Sequence, residues 1–204
     1  MAPKYKLFYF PIRVIAEPIR FILAYVGAEY EDIRVEWADW PSLKPDTPYG
    51  TLPVLEVDGK KLGQSIPICR YLAKQYGLLA ENDWDNAQID AAVDAIDDLR
   101  WSIKEFFFET NESRKKNLKE KLIKETVPFH YAKLEAMVKN NGGYLAGGKL
   151  TWGDLYFTTM QELFDHDLEF EITRDYPHLA TLRNKVVNIP SIKSWIEKRP
   201  KTDR

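Results

Sequence analysis

Every segment that alternates like a strand lies ahead of residue 65, and beyond residue 86 only helical periodicity remains. That division confines the chain to a small sheet in its first part and to helices in the rest. "YKLFYF" (5–10) is a short aromatic strand stopped by Pro11. "AEPIRFILAYVGA" reads as a helix with Pro18 in its first turn and Gly27 at its end. "YEDIRVE" alternates as a second strand, and "PVLEVDGKKLG" as two strands joined by a turn at Asp58-Gly59. "SIPICRYLAKQYG" predicts a helix capped by Ser65, with Pro67 in its first turn and Gly77 at its stop.

The order strand, helix, strand, hairpin, helix predicts a small mixed sheet covered by helices. "LLAENDWDN" (78–86) reads as a linker. Ile89, Val93, Ile96, Leu99 and Ile103 then recur at steps of three or four, an apolar helix stripe. "LKEKLIKETVPFHYAKLEAMVKNN" continues helical up to Gly142-Gly143, and "LTWGDLYFTTMQELF" opens on Thr151 with Asp154 three residues on, a capping-box variant. Two short helices separated by Ile189-Pro190 close the chain. The expected organisation is an α/β domain over 1–79 and an all-helical domain over 80–204.

Composition narrows the function classes. Lys and Arg total 29 against 31 Asp and Glu, a balance that argues against nucleic acid as a partner. No apolar run approaches the roughly 20 residues of a membrane helix, and "MAPKYKLFYFPIR" lacks the shape of a secretory leader, so a cytoplasmic protein is expected. Cys69 is the single cysteine, which excludes disulfide scaffolds and dithiol motifs. His130, His166 and His178 have no metal-ligand spacing, and no metal is expected. The basic run 113–125 carries glutamates at helical spacing and reads as a solvated face.

Three features of the first part can carry chemistry, and each has a plain structural alternative. Pro53 either protects an edge strand or, through a cis bond, turns the backbone of Leu52 outward to pair with an extended ligand. Ser65 either caps its helix or, with Gln64 and the first-turn amides, receives a carboxylate. Tyr9 is either a core aromatic or a hydroxyl at a site mouth, placed to donate to a thiolate. Thiols titrate near pH 8.5, so a donor to the anion raises the reactive fraction at neutral pH.

"YKLFYF…AEPIRF", "ADWPSLKPDTPYGTLPVLEVDG", "GQSIPICRYLAKQYGL", "VDAIDDLR", "GGYLAGGKLTWGDLYF" and "WIEKRP" together resemble the cytosolic glutathione S-transferases, most closely the sigma class. The resemblance runs from end to end. It implies a thioredoxin-like first domain, a helical second domain and a homodimer that uses glutathione as co-substrate and needs no other cofactor. Where thioredoxins carry their dithiol, this chain reads Phe10-Pro11-Ile12-Arg13, without sulfur.

The resemblance also implies residue roles. Tyr9 matches the donor to the glutathione sulfur, and Leu52, before an implied cis-Pro53 in "YGTLPV" (with Gly50 and Thr51), the residue that pairs with the cysteinyl backbone. Gln64 and Ser65 match the γ-glutamyl carboxylate site. Trp40 and Lys44 match residues at the glycine end. Asp98, in the row Asp90, Asp94, Asp97, Asp98, matches a residue reaching the γ-glutamyl ammonium from the partner subunit. Like charges at that spacing repel, so a cation or the partner chain should compensate them.

The electrophile pocket is expected from Phe10, Ile15, Arg100, Trp101, Lys104 and Tyr156. The family's vertebrate prostaglandin D synthase has arginine at the place of Ile15, and losing that bidentate donor favours conjugation of apolar electrophiles over prostaglandin isomerisation. Two alternatives stand beside conjugation: a glutathione-dependent prostaglandin D synthase, and a non-enzymatic lens-type or carrier protein.

Overall fold

The computed structural model describes residues 4–202 and residue 204. Residues 1–3, the start of the segment read as lacking a leader, lie outside the described residues. Two compact units emerge, Met1–Leu78 with Asn188–Arg204, and Leu79–Val187.

The first unit is a four-stranded sheet in the order β2-β1-β3-β4, formed by Tyr5–Tyr9 (β1), Tyr30–Arg34 (β2), Val54–Val57 (β3) and Lys60–Gly63 (β4). β1 and β2 are parallel because helix α1 (Glu17–Val26) carries the chain back between them; β3 lies antiparallel to both β1 and β4. The β3–β4 turn closes with positive φ at Asp58 and Gly59, the conformation in which a two-residue turn follows strand twist. Helix α3 (Ser65–Gln75) packs on α1. Their buried faces, Ile19, Phe21, Ile22 and Leu23 against Ile68, Cys69, Leu72 and Ala73, form the core beneath the sheet. A short helix α2 (Trp40–Leu43), absent from the sequence reading, follows β2.

In the second unit, helix α4 (Asp83–Phe108) starts inside the expected linker. Asn82 accepts from the Asp85 amide at 2.8 Å, and Asp83 and Asp85 sit in the first turn. From Asn82 onward the polar composition is therefore cap and helix-dipole chemistry, and the connecting residues are those before it, where the two units divide. The stripe Ile89, Val93, Ile96, Leu99 and Ile103 is buried throughout and packs against α7 (Trp152–Leu168). Between them run α5 (Glu112–Lys121), which carries the expected solvated basic face, a π-helical turn and α6 (Val127–Asn140). α8 (Pro177–Val187) completes the unit, its first amides at His178 and Leu179 both received by Glu135 at 2.9 Å.

At the start of α7 the Asp154 carboxylate accepts from the Thr151 amide at 2.7 Å and from the Leu145 amide at 2.8 Å, as the capping-box spacing predicts. Burial pushes its carboxyl up to about 6 against those donors.

Helix α9 (Pro190–Lys198), which the sequence reading ran on from the helical part, packs on α1 of the first unit. The contact is specific. Glu17, buried in α1, accepts from Trp195 Nε1 at 2.8 Å and Arg199 Nη1 at 2.9 Å. It also pairs with Arg20, which is fully buried and reaches Asp32 on β2. Among the described residues, no helix is long and apolar enough to cross a membrane.

Candidate functional site

Strand register alone gathers the first-unit candidates at one end of the sheet. Val54 pairs with Gly63 on one side and with Phe8 on the other. Tyr9, Leu52-Pro53 and Gln64-Ser65 therefore all emerge at the same edge, one or two residues past the last ladder pair. The Leu52-Pro53 bond is cis. Among the described residues no backbone hydrogen bond engages Thr51 or Leu52, whereas the Val35 amide continues the ladder to the Tyr9 carbonyl at 2.8 Å. Main-chain donors and acceptors at Leu52 thus stay open to an extended partner.

The start of α3 is also open. The structure corrects the assignment of Ser65 as cap: Gln64 is the N-cap residue and Ser65 the first helical one. Gln64 takes φ 73°, in the left-handed region, and its side chain makes no cap bond. This strained corner points the first turn of the helix into the sheet edge. Ser65 is buried, yet its hydroxyl has no hydrogen-bond partner among the described residues. A hydroxyl left without a protein partner at the positive end of a helix, next to free first-turn amides, suits a carboxylate.

Tyr9 is 5% exposed and shares an apolar cluster with Leu52, Val54, Phe10, Ile15 and Trp40. Arg20 lies beneath it, its guanidinium carbon 6.0 Å from the ring centroid. The loop that follows Tyr9 is pinned rather than loose. Arg20 Nη1 donates to the Ile12 carbonyl at 3.0 Å, and the Arg13 amide donates to the Arg204 carbonyl at 2.8 Å. Val14, β-branched, is held there at φ 33°. On the far side of the site, α2 carries Trp40 and is followed by Lys44, whose stem lies along Gly50. φ at Gly50 is +63°, so the turn calls for glycine, while a Cβ there would make only an ordinary 3.5 Å contact with Lys44 Cε.

The remaining candidates, Asp98, Arg100, Trp101, Lys104 and Tyr156, belong to the second unit. Asp98 is exposed on α4. Arg100 is committed to Asp97 through Nε and through Nη2 at 3.1 Å, so a cation of the same helix offsets part of the acidic row. Trp101 is 55% exposed and carries two cations over its ring, Arg100 at 4.5 Å and Lys104 at 4.3 Å. Tyr156 is fully buried, and its hydroxyl donates to Asp97 at 3.1 Å.

Sequence reasoning missed the buried network of Glu17, Arg20, Asp32 and Arg34, in which Asp32 accepts from Arg20 Nε at 3.2 Å and from Arg34 Nη2 at 2.8 Å. Its members are separated in sequence, and only the charged residues inside "AEPIRF" hinted at it. The Phe10–Trp37 stack was likewise missed. Cys69 offers no nucleophile, since complete burial pushes its thiol up and favours the neutral form.

Comparison with known proteins matches both parts of this architecture in order. Residues 3–74 match the family model for the glutathione S-transferase N-terminal domain, and residues 97–199 that for the C-terminal domain. Glutathione S-transferase S1 of Drosophila melanogaster is 44% identical over 199 residues, covering 98% of this chain and 80% of the relative. Hematopoietic prostaglandin D synthase of Rattus norvegicus is 39% identical over 208 residues, covering 98% of each. Among solved structures, prostaglandin synthase D of Nilaparvata lugens superposes with a TM-score of 0.92 at 48% identity, covering 98% of this chain and 100% of that one. With both halves matched and the likeness running nearly end to end, the chain belongs to the glutathione S-transferase family.

Proposed function

We propose that this chain is a sigma-class glutathione transferase that holds glutathione as a thiolate beside Tyr9 and transfers its sulfur to an apolar electrophilic carbon. The observation that carries the reading is the pairing of open groups at one sheet edge, the Leu52 backbone and the Ser65 hydroxyl at the start of α3, neither with a hydrogen-bond partner among the described residues. The cysteinyl backbone pairs with Leu52, with Gly50, Thr51 and Pro53 shaping that edge. The γ-glutamyl carboxylate sits at Gln64 and Ser65, and the glycine end at Trp40 and Lys44. Asp98 of the partner subunit meets the γ-glutamyl ammonium in a homodimer. Glutathione is the co-substrate, no further cofactor is required, and the compartment is cytoplasmic.

Chemically, the site binds the thiol, releases its proton to solvent and stabilises the anion through the Tyr9 hydroxyl. Each unit by which the thiol pKa falls is worth about 1.4 kcal/mol of preference for the thiolate. Holding sulfur and electrophile together supplies the rest, with no covalent intermediate on the protein. On a chlorinated nitroaromatic the thiolate forms a C–S bond, the C–Cl bond breaks and chloride leaves with the electron pair. Ile15 leaves the loop after Tyr9 without a charge at that point, which suits a neutral second substrate.

Turnover of glutathione with 1-chloro-2,4-dinitrobenzene tests this directly. Tyr9→Phe should keep glutathione affinity within a few-fold and lower kcat by roughly tenfold per unit by which the thiol pKa rises. An inactive wild type, or a Tyr9→Phe variant at full rate, sinks the reading. The 48% identity to a structure described as a prostaglandin synthase favours a second reading, isomerisation of a prostaglandin endoperoxide on the same thiolate. Product analysis with that endoperoxide decides it.

A further inference from the structure

We infer that Trp37 is a specificity-determining residue, a fixed aromatic shelf that selects flat, neutral, electron-poor electrophiles for the sulfur held at Tyr9. The inference rests on the reading of Tyr9 as the sulfur's donor.

β2 leaves the sheet at the same end as β1, because the two strands are parallel and in register up to Tyr9 and Arg34. The turn after β2 closes with the Asp39 and Trp40 amides donating to the Glu36 carbonyl at 3.0 and 3.2 Å. This turn swings Trp37 over Phe10, the residue next to Tyr9. The two rings stack with centroids 3.9 Å apart and planes 14° from parallel. Trp40 meets Phe10 edge-on at 5.6 Å, and Tyr9 lies 5.8 Å from it. A row of rings thus runs outward from the phenol.

Trp37 ends that row, and it remains 58% exposed. One face of the indole is used on Phe10, which fixes its orientation, so a second ring can stack on the other face without ordering the side chain. The indole face is electron-rich and prefers an electron-poor partner. Charge sharpens the choice: Glu36 and Asp39 flank Trp37 in the turn, both exposed, and repel an anionic substrate. A nitroaromatic halide or a quinone fits this shelf; an aliphatic enal gains nothing from it.

The test compares wild type, Trp37→Ala and Trp37→Phe on 1-chloro-2,4-dinitrobenzene and on trans-2-nonenal, a linear enal to which the thiolate adds at the β-carbon while a solvent proton goes to the α-carbon. Trp37→Ala should lower kcat/KM for the aromatic about 3- to 10-fold and leave the enal and the glutathione KM within about 2-fold. Trp37→Phe should restore most of the loss. Binding provides a readout independent of turnover: Trp37→Ala should weaken S-(2,4-dinitrophenyl)glutathione relative to S-hexylglutathione by a similar factor. Equal losses on both electrophiles, an unchanged binding ratio, or a variant whose only defect is a lower melting temperature or a dissociated dimer would overturn the inference. A wild type that turns over neither electrophile refutes the transferase reading instead, and the binding ratio still decides the role of Trp37.

Discussion

Val54 and Gly63 face each other in the β3–β4 ladder, and this one pair sets Leu52 and Ser65 at the same end of the sheet, each with groups that have no partner among the described residues. Because the Ser65 hydroxyl has no partner among the described residues, its removal should separate binding from stability. Ser65→Ala should weaken glutathione roughly tenfold or more, the cost of one hydrogen bond to a charged group, and leave the urea midpoint within error. Calorimetric titration with glutathione and an equilibrium unfolding curve check the two halves. Unchanged affinity would remove Ser65 from the site.

Glu17 holds the first unit to its distant C-terminal helix. Glu17→Gln keeps the shape but leaves buried Arg20 and nearly buried Arg199 without this carboxylate, although Arg20 retains Asp32. Breaking a buried ion pair from one side costs about 3 kcal/mol or more. The urea midpoint should fall accordingly with the slope preserved. Because Arg20 also donates to the Ile12 carbonyl, kcat should drop more than glutathione affinity.

Asp97 joins α4 to α7 through Tyr156. A double-mutant cycle with Asp97→Asn and Tyr156→Phe should give a coupling of about 0.5–1.5 kcal/mol. Thermal or urea unfolding of the four proteins measures it. A coupling near zero would show that the phenol–carboxylate bond does not hold these helices together.

Asp165 gives a pH dependence of definite sign. Burial pushes its carboxyl up to about 6, against the Ile172 amide and Gln161 amide that favour the anion. The folded state therefore binds this proton more tightly than the unfolded chain, and its stabilising contribution is complete below about pH 4 and lost as pH rises through about 6. Asp165→Asn lacks that loss. Relative to wild type it should gain on the order of 1 kcal/mol between pH 4 and pH 7.5, less than the full shift because water reaches the group. Urea unfolding of both proteins at each pH reads the difference; a parallel response would refute the assignment.

Much of the fold was legible before any coordinates. Period-two strands, the Asp58-Gly59 turn, the stop at Gly27 and the apolar stripe from Ile89 to Ile103 are local signals, each fixed by backbone sterics or by one face that must be buried. The same locality misled at 82–86, where acidic and amide residues serve equally in a linker or in the first turn of α4. It also misplaced the cap, since Ser65 satisfies the composition of an N-cap while Gln64 takes the position.

Sequence alone determined the element types, the missing thiol chemistry at 10–13 and the presence of Tyr9, Leu52 and Ser65, because side-chain chemistry and short-range backbone preference travel with the residue. Only the tertiary structure decided which of these groups remain unpaired, that Trp37 covers Phe10, that Tyr156 is sealed against Asp97 and that α9 returns to Glu17. Those outcomes depend on competition for burial and for hydrogen-bond partners among residues far apart in the chain, and that competition is settled only when the whole chain packs.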